Sequence, residues 1–98
     1  MAATKELPPE LQELLTAGIL RPAGGDEYSI DALHHRQRTW LGWVDAFYTL
    51  RIEEGEDGRP LYEVVEETRE HGDDTAIRSA DTDEVACWIS EMVEGKEE

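Results

Sequence analysis

Apolar residues recur at helical spacing near both ends of the chain and at every second position between them. Leu7, Leu11, Leu14 and Leu15 share one helical face. Pro8-Pro9 opens that segment, where a missing amide donor costs nothing. Glu10 and Glu13 suit the amino end of a helix dipole, and Gly18 supplies a stop. The pattern predicts a helix over 9–17. At the other end Val85, Trp88, Ile89 and Met92 form a second stripe. Asp81 with Glu84 fits a capping box in its aspartate form, and Gly95 closes the segment.

The middle of the chain has period two. Val44, Ala46, Tyr48, Leu50 and Ile52 occupy one set of alternate positions; Trp43, Asp45, Phe47, Thr49 and Arg51 occupy the other. Enrichment in β-branched and aromatic residues makes this a long strand with one apolar and one mixed face. Residues 53–60 (EEGEDGRP) read as a hairpin loop, 61–68 as a second strand, 69–73 as a turn and 75–79 as a third strand. These three form an antiparallel meander, and its apolar face needs helices to cover it.

Residues 19–43 carry a mixed signal. Ile19-Leu20-Arg21 reads as a short strand, residues 22–26 as a turn, and Tyr28-Ser29-Ile30 as a return strand. Ile30, Leu33, Gln37, Trp40 and Leu41 then fall at helical spacing, with Asp31 or Ser29 as cap and Gly42 as stop. That spacing predicts a short helix, although Trp40 could equally begin the next strand. The expected fold is α+β: a three- to five-stranded antiparallel sheet covered by two or three helices. It forms one small domain over residues 1–98, frayed at 1–6 and 96–98.

Charge changes this picture most. The 98 residues hold 24 acidic and 9 basic side chains, a net charge of −15. The excess is lopsided. Up to Thr49 there are seven acids and four bases; from Leu50 onward there are seventeen acids and five bases. Such a field repels nucleic acid and anionic lipid and speeds encounter with basic surfaces. Three Trp, three Tyr and one Phe, with clear periodicity, argue against disorder. No apolar run reaches membrane-spanning length, and the first residues have no apolar signal core. The expectation is a cytoplasmic protein that binds neither nucleic acid nor membrane directly.

Candidate chemistry is sparse. The single Cys87 makes no internal disulfide and no cysteine-based zinc site. On its helix it lies opposite the apolar stripe, among Asp83, Glu84, Glu91 and Glu94, which suppress a thiolate. Adjacent His34 and His35 point too far apart to share a metal, and His71 is distant. No carboxylate run matches a calcium loop, and no phosphate loop or nucleophile motif occurs. The reading is a non-enzyme with no cofactor and no metal.

The functional content lies in the acidic meander. Glu53, Glu54, Glu56 and Asp57 crowd one hairpin end, and Asp73 and Asp74 the other. Glu63, Glu66 and Glu67 lie on the strand between, with Glu63 on one side and Glu66 on the other. Trp43 and Phe47 share the mixed face of the long strand. They are interface anchors if exposed, or second-layer packing if the 31–41 segment covers them. A solvated acidic face is the bland alternative to a docking surface. Three functions fit: an inhibitor of a basic protein, a nucleic-acid mimic acting on a nuclease or other DNA-binding protein, and a homodimeric adaptor. The molecule itself is monomer or homodimer.

The order of features resembles a known group. A leucine-rich helix leads into Ala17-Gly18-Ile19, and a Gly-Gly turn precedes Tyr28-Ser29-Ile30. Phe47-Tyr48-Thr49-Leu50-Arg51-Ile52 feeds a charged meander, and a Trp-bearing amphipathic helix closes the chain. This is similar to small actinobacterial immunity proteins of polymorphic toxin systems, including the group that neutralises the NAD-consuming necrotizing toxin of mycobacteria. The resemblance implies an immunity protein that occludes the basic active-site cleft of a toxin enzyme.

Overall fold

Strand β4 organises the molecule. The computed structural model describes residues 7–40, 42–70 and 72–96. The chain order is α1 (Pro9–Thr16), β1 (Arg21–Gly24), β2 (Glu27–Ser29), a single 3-10 turn (Asp31–Leu33), β3 (His35–Thr39), β4 (Gly42–Glu54), β5 (Pro60–Thr68), β6 (Gly72–Ser79) and α2 (Thr82–Lys96). The thirteen residues of β4 pair with β5 along one side, from Ala46 to Glu54. Their other side is shared. β3 pairs with residues 42–46 and β2 with residues 49–51. β6 completes the meander beyond β5. All pairings in the sheet are antiparallel.

The alternation expected for β4 holds. Val44, Ala46, Leu50 and Ile52 are buried, whereas Trp43, Asp45 and Phe47 are exposed. Both helices cover the buried side, where Leu11, Leu14, Val85 and Ile89 meet Leu50 and Val64. Complete burial of such side chains contributes roughly 1.5–3 kcal/mol each. The α1 terminus is a Schellman motif. Gly18 takes φ 82°, its N–H reaches Leu15 O, and Ile19 N–H reaches Leu14 O. At the start of α2, Asp81 Oδ1 accepts from the amides of Asp83 and Glu84.

Three expectations need correction. The sheet has six strands, more than the three to five expected. The predicted helix over 31–41 is one 3-10 turn followed by a strand. The first residues of β4 overhang β5, and β3 pairs with that overhang, so each strand satisfies one side of the other's backbone. The first hairpin is shifted: Ile19 and Leu20 close the helix cap, and pairing starts at Arg21↔Ser29. Smaller shifts place the start of β6 at Gly72 and carry α2 past Gly95 to Lys96. Residues 1–6 and 97–98, expected to fray, lie outside the described residues, as do Leu41 and His71.

Candidate functional site

The helix-free side of the sheet is a mosaic of charge. Register places Glu27, Arg51, Glu63 and Arg78 in one row across β2, β4, β5 and β6. Arg51 is its hub. Nη2 donates to Glu67 Oε1 at 3.0 Å and to Asp73 Oδ2 at 3.3 Å, and Nε lies 3.7 Å from Glu27 Oε2. Burial works against its charge, but the hydrogen bond to Asp73 and the charges of Glu27, Asp73 and Glu67 outweigh it and raise the pKa. Arg78 reaches Glu53 at 3.5 Å, and the Thr75 hydroxyl donates to Glu63.

A bulge sets this arrangement. Val64 pairs with Ile77, but Val65 pairs with Thr75, leaving Ala76 as an extra residue in β6. Ile77 therefore shares the helix side with Val64, while Thr75 and Asp73 turn to the open side. Val65 is buried on that open side.

The structure brings some predicted site residues together and separates others. Glu63, Glu67, Asp73, Trp43 and Phe47 share the open face. Phe47, Asp45, Glu67 and Asp73 line one cleft there, of about 300 Å³. Glu53, Glu54, Glu56 and Asp57 sit at the far end of the sheet. Asp57 is turned inward on its own loop, accepting from Arg59 N at 3.1 Å with Arg59 Nε at 3.5 Å. Glu66 and Asp74 pair on the helix side, and Glu66 accepts from the Tyr48 hydroxyl at 2.6 Å.

The 31–41 segment forms no helix over Trp43 and Phe47, and its side chains cover them only in part. Trp43 is 59% exposed and Phe47 50%. His34 stacks on Phe47 at 4.7 Å and bonds Asp45 Oδ1 through Nε2 at 3.0 Å. Arg36 lies over Trp43 at 5.7 Å. Trp40, at the tip of the β3–β4 hairpin, is 83% exposed. The neighbouring His35 ring turns the other way, with Nδ1 3.1 Å from Leu33 O.

α2 carries a group of carboxylates without counter-ions. Among the described residues, none of Asp83, Glu84, Glu91 and Glu94 has an ion-pair partner. Glu84 and Glu91, seven residues apart, flank Trp88 along a cleft against β6, with Ile77 opposite. Seven residues of helix separate them by roughly 10 Å. Cys87 registers this field. Its thiol lies 3.5 Å from Glu91 Oε2, and its pKa is raised, first by that hydrogen bond and the charge of Glu91, then by burial, Asp83 and Glu94. The sequence pattern places these carboxylates around Cys87, although the expected docking residues lie on the meander and at Trp43 and Phe47. The i, i+7 spacing of Glu84 and Glu91 about Trp88 was the available signal.

No described helix is long and apolar enough to cross a membrane. Among the described residues, no group of three or more His, Cys, Asp or Glu is arranged to hold a metal ion. The chain matches no protein-family model, no curated protein and no solved structure.

Proposed function

We propose that the protein is a non-catalytic binder of a basic partner, most concretely an inhibitor or immunity protein that blocks the basic active-site cleft of a toxin enzyme. One observation carries this reading. On the open face Arg51 holds Glu27, Glu67 and Asp73 and Arg78 holds Glu53, whereas Asp83, Glu84, Glu91 and Glu94 on α2 have no ion-pair partner among the described residues, and Glu84 and Glu91 bracket the half-buried Trp88 beside Ile77. A cleft with an apolar floor and anionic walls suits lysine and arginine side chains, whose stems bury against apolar surface while their heads meet carboxylate. The aromatic ring anchors the complex, and the charge speeds encounter. The alternation of carboxylate and guanidinium on the open face gives no support to a phosphate-spaced anionic track, so the nucleic-acid mimic is the weaker alternative.

The test is affinity capture from the native host, followed by reconstitution with the captured protein. The expected partner is a basic enzyme whose activity falls to background at one equivalent of this protein. Glu84→Lys with Glu91→Lys should cut the association rate at least about tenfold and flatten its salt dependence. Unchanged kinetics in that variant, or full enzyme activity in the complex, would defeat the reading.

A further inference from the structure

The open face has a property independent of the α2 surface: the charges of its central row are complementary to their own two-fold image. β3 and β2 lie one strand to one side of the β4–β5 pair, and β6 lies one strand to the other. A two-fold axis running along the strands, between β4 and β5, therefore places β2 of one copy over β6 of the other. The central row reads Glu27, Arg51, Glu63, Arg78, which is minus, plus, minus, plus. Its image reads plus, minus, plus, minus. Glu27 of each copy then faces the second copy's Arg78, and Arg51 faces the second copy's Glu63. The next row, Ser29, Thr49, Val65 and Thr75, is uncharged and meets itself without conflict.

We propose that this face is a homodimer interface, occupied by a second copy of the chain packed sheet against sheet. Cross-strand pairing within one sheet accounts for the alternation, but it leaves Trp43 and Phe47 exposed and the face uncovered. A second copy covers Phe47, whereas Trp43 lies on the overhang of β4, beyond the ends of β5 and β6. Four strands at about 4.8 Å and the nine residues of β4 that pair with β5, at about 3.3 Å per residue, give a face on the order of 600 Å² per copy. That reaches the lower end of the range for stable complexes, about 1,200–2,000 Å² in total. The net charge of −15 per chain opposes association. At 0.15 M salt the screening length is about 8 Å, so the long-range repulsion is largely removed while contacts across the interface persist. An interface of this kind is isologous and closes at two subunits. It leaves α2 free on both copies.

Sedimentation equilibrium at about 100 μM in 0.15 M salt should give twice the 11.1 kDa chain mass. Glu27→Arg alone should be monomeric, because it faces Arg78 of its partner, and Arg78→Glu alone should be monomeric for the mirror reason. An equimolar mixture of the two should recover a heterodimer, since both contacts are then complementary. Circular dichroism checks that each variant folds; should one fail, Phe47→Ser, exposed in the single chain, takes its place and should be monomeric. A monomeric wild type overturns the proposal. So does a dimer that persists in the single variants, or a mixture that stays monomeric. None of these outcomes depends on whether α2 binds a basic partner.

Discussion

Tyr48 and Glu66 face each other across the β4–β5 ladder on the helix side, and the phenol donates to Glu66 Oε2 at 2.6 Å. The Tyr48 ring also lies 6.4 Å from the Trp88 ring, so it links the sheet to α2. Burial, then the hydrogen bond and the charge of Glu66, push the Tyr48 pKa up to about 12. The folded state therefore holds this proton more tightly than the unfolded chain, whose tyrosines ionise near pH 10. The stabilisation is fully present below about pH 10 and is lost as pH rises through about 12. Ultraviolet titration of the phenolate should show Tyr48 ionising late, near pH 12 or with alkaline unfolding. Tyr48→Phe should remove that late step and cost about 1–2 kcal/mol in urea unfolding at neutral pH. An unchanged titration curve would break the link.

Arg51 is the cation that makes the open face tolerable. Removing it leaves Glu27, Glu67 and Asp73 close together without their counter-ion. Arg51→Met keeps much of the stem that helps cover the sheet and deletes the charge. The expected cost is about 1–3 kcal/mol, in the range for a hydrogen bond to a charged group. Urea denaturation at pH 7 measures it.

How much of this was legible depends on how local each signal is. The alternation of β4, the cap at Asp81 and the stop at Gly18 are written within a few residues, and they read correctly. Residues 30–41 contain Ile30, Leu33, Trp40 and Leu41 at helical spacing, and only the overhang of β4 decides for a strand. That decision is tertiary: His35 and Gln37 turn inward because they oppose Ala46 and Val44. The fate of the acids was less readable still. The extra residue at Ala76 turns Asp73 to the Arg51 side and leaves Asp74 on the other. No count of acids along the chain reveals which of them find an arginine.

Cys87 offers a probe of the α2 field. Glu91 foremost, with Asp83 and Glu94, holds its thiol above the usual range and keeps the thiolate scarce. Reaction with a neutral disulfide reagent at pH 8 should be slow for so exposed a cysteine. Glu91→Gln should lower the thiol pKa and raise the rate a few-fold, since the thiolate is the reacting form. Added salt should move the wild type in the same direction. Equal rates in the two proteins would show that Glu91 does not set the field at Cys87.

Salt should also act on the fold as a whole, and the sign separates two kinds of charge. At about 0.01 M salt the screening length is roughly 30 Å, more than the shortest dimension of the molecule, 24 Å. Every unpaired carboxylate on α2 and in the 53–57 loop then repels the others. At about 0.3 M the screening length falls well below the separation of most of these groups, and the repulsion fades. The contacts of Arg51 are short, and the one to Glu67 is part-buried, so the same salt weakens them less. Net stabilisation follows, and 1 kcal/mol corresponds to roughly 4–8 °C in a domain of this size. The melting temperature should therefore rise by several degrees between those two salt concentrations. The rise should be larger in Arg51→Met, which has lost compensation, and smaller in Glu84→Gln with Glu91→Gln, which has lost repulsion. A flat or falling melting temperature in the wild type would mean that ion pairing, not carboxylate crowding, dominates this surface.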